Sequence, residues 1–222
     1  MKFSAEASLV SKTLRASKRR RGVLASHAML VTFAVMMLAW SDFASASRCR
    51  PERGFRNVAI LPLDPGMLEF MQQVKFAKTA KLYTGPPGIE SIKGIEAPAE
   101  NYAVKVDWNR ERAVFSLEDD KGRAGTLTFL TPDEISIFEI DTLDDPLMAT
   151  GPILYREWKL TGKATGTGPF KAASASGQHL SLILQGRGND CIAAFDDFKH
   201  WTLVMEGQKA DYLLFGDLIQ PQ

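Results

Sequence analysis

Between Tyr102 and Asn109 the chain alternates strictly, with Tyr102, Val104, Val106 and Trp108 in one phase and Ala103, Lys105, Asp107 and Asn109 in the other. A period of two cannot place its apolar residues on one face of a helix, so this segment is a half-buried strand. The pattern repeats at once. Ala113, Phe115 and Leu117 alternate with Arg112, Ser116 and Glu118, interrupted only by Val114, and Asp119-Asp120-Lys121-Gly122 supplies a turn before Leu127 and Phe129 alternate with Thr126 and Thr128. Three strands joined by tight turns predict an antiparallel meander.

Strand patterns continue at 134–142, 153–161, 180–185, 201–205 and 212–218, and precede the meander at 57–63 and 74–83. One short helix is expected, over 65–73. About ten strands with almost no helix specify an all-β protein, an antiparallel meander closed as a barrel or folded as a sandwich, because an open twisted sheet of that width is disfavoured. The size and meander are shared with ligand-carrying barrels such as lipocalins, but no Gly-x-Trp opens the first strand. Two segments break the alternation. Residues 84–99, with Gly85-Pro86-Pro87-Gly88, read as a long loop, either a binding loop or plain surface. Residues 162–177 are rich in Gly, Thr, Ser and Ala and read as irregular, and Gly186-Arg187-Gly188-Asn189 reads as a turn.

The first 46 residues follow a different logic. Seven basic residues stand against Glu6 before Val23, the run Val23 to Trp40 is apolar apart from Ser26, His27 and Thr32, and Ala44-Ser45-Ala46 offers small residues at a cleavage site. This order predicts a secretory signal peptide over residues 1–46 and a single β-rich domain over residues 47–222, placed in the periplasm or secreted. Left uncleaved, the apolar run is long enough to anchor the chain in a membrane. Arg19-Arg20-Arg21 followed by Leu24 admits twin-arginine export, although Gly22 and Val23 stand where an aromatic is usual. Removing the signal leaves 20 basic and 24 acidic residues, a net charge of −4. That sign, with no basic stripe carrying interleaved aromatics, argues against a nucleic-acid partner.

Export also changes the meaning of Cys49 and Cys191, the only cysteines. In an oxidising compartment they predict one disulfide across most of the domain. The competing reading makes Cys191 a nucleophile activated by His179 or His200, with little chain after it to build such a site.

Other chemistry is thinly supplied. Gly162-Lys163-Ala164 lacks the preceding glycine, the following Ser or Thr and the helix of a phosphate loop. Asp141, Asp144 and Asp145 lack the spacing of a calcium loop, and two histidines on separate segments under-supply a zinc site. No Gly-x-Ser-x-Gly is present. The sequence therefore implies no cofactor and no metal, and gives an enzyme no constellation of residues. Arg156 is the informative residue. It takes the apolar phase of Leu154, Trp158 and Leu160, where a guanidinium must meet either a carboxylate such as Glu139 or Asp141, or an anionic ligand. Two functions follow. One is a non-catalytic envelope protein that binds a small apolar or amphipathic ligand at Arg156, Trp158, Trp108 and Phe129. The other is an envelope protein–protein interaction module with a filled core, binding through an edge strand or the 84–99 loop.

Overall fold

In a computed structural model, residues 54–85, 88, 92–142, 153–188 and 193–219 are described, all within the unit Arg48–Gln222. Cys49, Asp144, Asp145, Cys191 and the segment read as an export signal lie outside them. The described strands are β1 (Arg56–Pro62), β2 (Lys75–Phe76), β3 (Thr79–Leu82), β4 (Asn101–Trp108), β5 (Arg112–Asp119), β6 (Ala124–Leu130), β7 (Glu134–Asp141), β8 (Leu154–Gly166), β9 (His179–Gly188), β10 (Phe198–Glu206) and β11 (Tyr212–Ile219). Among the described residues one α-helix, α1, runs over Pro65–Gln72, and 3₁₀ helices run over Gly168–Ser174 and Phe195–Asp197.

Every pairing is antiparallel, and eight strands close a ring in the order β8-β6-β5-β4-β3-β11-β10-β9, with β9 returning to β8. The barrel alternative is thus the one realised. The expected turn between the second and third meander strands is built by Asp119, whose carboxylate accepts from the amides of Lys121 and Arg123 at 2.9 Å each, while Gly122 takes the left-handed backbone (φ +75°) the turn requires.

Apolar side chains fill the ring: Phe115, Leu127, Phe129, Leu182, Trp201 and Leu203 are fully buried, and Lys105, Glu118 and other polar residues take the outward phase. This is the reverse of a membrane-spanning barrel, whose exterior is apolar. Both ends are stoppered. At one end Phe170, from the 3₁₀ helix, packs on Tyr102 and Tyr212 at centroid distances of 5.7 and 6.2 Å. At the other, α1 buries Leu68 and Met71 and sets Phe70 5.1 Å from Trp158, while Phe76 meets Phe115 and Trp201. Asp64 caps α1 by accepting from the Met67 amide, and Pro65 opens its first turn.

The structure corrects several boundaries. The strand expected over 74–83 is two, β2 and β3, because the chain crosses from a contact with Leu218 to a position between β4 and β11. The stretch expected to be irregular over 162–177 is so only beyond Gly166: β8 runs on to that residue, the missing side chain of Gly162 leaves room beside the Phe129 ring, and a 3₁₀ helix and turn follow. Gly186 and Gly188 belong to β9 and not to a turn. The 84–99 loop is pinned where it is described, by the Lys93–Asp211 bridge, by the Glu96 amide donating to the Pro169 carbonyl and by burial of Ile95.

The length of β8 has a further consequence. Its second half pairs with β6, while its first half, Leu154–Lys159, pairs with β7, and β7 pairs with β1. These two strands form a wing that leaves the ring along β8. Among the described residues β1 has a partner on one side only.

Candidate functional site

The root of the wing holds the most charged part of the interior. Arg156 is 0% exposed and sits directly across from Glu139 on β7 and Gly186 on β9. Its Nε lies 3.0 Å from Glu139 Oε1, and its Nη1 donates to Asp197 Oδ2. Asp197 closes the 3₁₀ turn before β10 and also accepts from the Ala194 amide at 3.0 Å. The other Glu139 oxygen accepts from Asn57 Nδ2 at 3.1 Å, so a polar chain runs from β1 through β7 and β8 to the start of β10. Arg156 Nη2 has no hydrogen-bond partner among the described residues. One guanidinium therefore faces two carboxylates, a local charge of −1 that is the wrong sign for an anionic ligand.

Of the two partners expected for Arg156, Glu139 is met and Asp141 is not. Asp141 lies at the strand end and accepts from the Gly54 amide at 3.0 Å. Asp197 is the residue that sequence reasoning misses. Its trace lies in β9, where the inward phase Leu180, Leu182 and Leu184 continues as Gly186 and Gly188. A methyl group on Gly186 would overlap the Asp197 main-chain oxygen, and one on Gly188 would overlap its carboxylate. An inward phase stripped of side chains beside an inward arginine is the signal of an acidic segment lying over the strand.

The four residues expected to line a ligand site do not form one surface. Trp158 is packed between Phe70 and Phe198 at 5.1 and 5.2 Å, and Phe129 is fully buried. Trp108 occupies the row that runs through Ala113 to Phe129, and it alone of the four reaches an open groove, of about 1250 Å³, shared with Phe76, Val106, Lys75 and Lys105. Neither Arg156 nor Trp158 lines that groove.

Neither a protein-family model, nor a curated protein, nor a solved structure matches this chain. What the site can do is therefore argued from its own groups. His200 Nδ1 meets Asp217 Oδ1 at 2.8 Å with both side chains more than half exposed, where water screens the pair. Among the described residues no three His, Cys, Asp or Glu side chains gather as a metal site, and no helix is long and apolar enough to cross a membrane.

Among the described residues the wing carries the two most exposed of the large apolar side chains. Val58 is 62% and Ile60 70% exposed on β1, on the face that also holds Phe138 and Ile140 of β7. Edge strands in folded proteins are usually guarded by charges, bulges or prolines within the strand. Here Arg56 and Pro62 stand at the two ends and nothing charged lies between them.

Proposed function

We propose that this chain is an exported, non-catalytic protein of the cell envelope that acts as an interaction module, binding its partner by strand addition along β1. The observation that carries this reading is the unguarded edge, with Val58 and Ile60 exposed on a wing that projects from a filled ring. Strand addition draws affinity from the main-chain groups of such an edge and selectivity from the alternate side chains beside it. The Asn57–Glu139–Arg156–Asp197 chain ties the wing to the barrel, so the edge is presented by a rigid element. Export rests on the basic, apolar and small-residue order of residues 1–46.

The test is fractionation of host cells expressing the full-length gene, with a photocrosslinking amino acid in place of Ile60. A processed chain beginning at Ser47, outside the cytoplasm and crosslinked to protein, is the expected result. An unprocessed cytoplasmic chain would overturn export, and a processed chain with no crosslink would overturn the edge. The ligand-carrier reading keeps one supporting observation, the groove at Trp108, and predicts a dissociable adduct of a few hundred daltons in the native mass spectrum of the same material.

A further inference from the structure

We infer that the partner added to β1 is a second copy of this chain, paired antiparallel through β1 of each copy about a twofold axis at Ala59; the inference rests on the edge reading above.

The hydrogen-bond phase of β1 is fixed at both ends. The Asp141 amide donates to the Phe55 carbonyl at 2.9 Å, and the Leu63 amide donates to the Asp133 carbonyl at 2.8 Å. Directly opposed antiparallel residues alternate between bonded and non-bonded pairs, so the odd-numbered residues of the strand turn their main-chain groups toward β7. The groups of Arg56, Val58, Ile60 and Pro62 are left facing the open edge. Pro62 offers that edge a carbonyl but no N–H.

A copy of the strand fits this set of donors and acceptors. With Ala59 on the axis, Val58 stands opposite Ile60 of the other copy and Arg56 opposite its Pro62. The amides of Arg56, Val58 and Ile60 then donate to the carbonyls of Pro62, Ile60 and Val58 across the axis, and the missing N–H of Pro62 falls at the rim. Charge selects the same register. Pro62 pairs with Glu134 of β7, so Arg56 of one copy and Glu134 of the other share a face with Pro62 between them, about 10 Å apart across two strand spacings, a gap their two long side chains can close, and the symmetry repeats the contact. An unrelated extended segment would have no need of a basic group at one end of the strand and an acid beside the other. Val58 and Ile60 of both copies then form one apolar row flanked by Phe138, within a sheet continuous across the axis.

The experiment is sedimentation of the exported chain over a concentration series, with Val58→Pro, Arg56→Glu, Glu134→Arg and the double swap, together with identification of the Ile60 crosslink by mass. Wild type should pass from monomer to dimer with rising concentration. Val58→Pro should abolish the dimer and leave the melting temperature of the dilute monomer unchanged, since its N–H takes no part in the β7 ladder. Each single charge swap should weaken association about tenfold, with two contacts per dimer, and the double swap should restore it. If Val58→Pro fails to fold, the swaps carry the test. A dimer indifferent to every variant uses another face and overturns the inference. A monomer at all concentrations whose Ile60 crosslinks to a different protein also overturns it, while leaving the edge reading in place. A monomer with no crosslink overturns both.

Discussion

Replacing Arg156 with Met should be among the most damaging single substitutions in this protein, although it removes a charged residue and supplies an apolar one of similar reach. In the native chain the guanidinium is wholly buried, pairs with Glu139 and Asp197, and stands in a row otherwise closed by Gly186. With Met in its place, two carboxylates face each other across β8 with no cation between them. Breaking a buried ion pair from one side costs about 3–5 kcal/mol, because the remaining charge is left desolvated and uncompensated. At about 2–4 °C of melting temperature per kcal/mol for a domain of this size, the expected fall is about 6–20 °C. Thermal unfolding followed by tryptophan fluorescence measures that fall, and guanidinium chloride unfolding by the same signal measures the free-energy loss, since Trp158 lies two residues along the same strand. The repair variant Arg156→Met, Glu139→Gln, Asp197→Asn should recover most of the loss, because a neutral replacement of a whole buried network is often tolerated. A single Arg156→Met variant within about 1 kcal/mol of wild type would refute the reasoning, since it would mean the two carboxylates need no cation.

Three further outcomes are expected. Gly188→Ala should destabilise by about 1–3 kcal/mol through overlap with the Asp197 carboxylate, and in the same unfolding assay the substitution measured against Asp197→Gly alone should cost much less. Burial would raise the Asp119 carboxyl, but the Arg123 and Lys121 amides and the Arg123 guanidinium outweigh it and hold the group below the ordinary aspartate range. Its stabilising contribution is thus complete above the unfolded-state value near ~4 and is lost as pH falls through the lower folded value, so Asp119→Asn should melt earlier than wild type at pH 7 and the gap should close in strong acid. Cys49 and Cys191 should form a disulfide in the exported chain, read as two missing hydrogens in its intact mass and no alkylation before reduction. Phe55, Asp141, Leu154 and Gly188 lie at one end of four adjacent strands, a span of ~15 Å that the residues joining each cysteine to its strand can bridge.

The parts of the fold that were legible in the sequence are those governed by local rules. β4, β5 and β6 read correctly because each buries one face and because Asp119 and Gly122 announce their turn without reference to anything distant. The split between β2 and β3 was not legible: Ala77 and Lys78 carry no breaker, and the bend exists because the Ala77 amide goes to Asp217 and the Lys78 carbonyl accepts from Val104. Gly162, Gly166, Gly186 and Gly188 misled for one physical reason. A glycine that frees the backbone for a turn and a glycine that makes room for a neighbour look the same in one dimension. At the candidate site, Arg156 declared itself through its phase, and Glu139 followed as the residue one strand away. Asp197 did not, because it is brought in from 41 positions along the chain by a 3₁₀ turn with no periodicity of its own. The short apolar run Val58 to Leu61 marks β1 as a strand candidate, but only the pairing order shows that it sits at an edge.

The place of β11 in the ring also sets the order in which the chain can be completed. This strand is the last of the described strands in chain order and enters between β10, its neighbour in sequence, and β3, the earliest strand of the ring. Until Tyr212 to Ile219 is in place the ring has two raw borders, and joining Leu82 to Leu214 closes a loop whose entropic cost is about 4 kcal/mol. Such long-range closure belongs to slow folding, with both borders open to pairing with other chains meanwhile. A chain stopped before Tyr212 would hold nearly all of the core residues described and still be unable to hide either border of the ring, so β11 governs whether this domain accumulates as a folded species or as an aggregate.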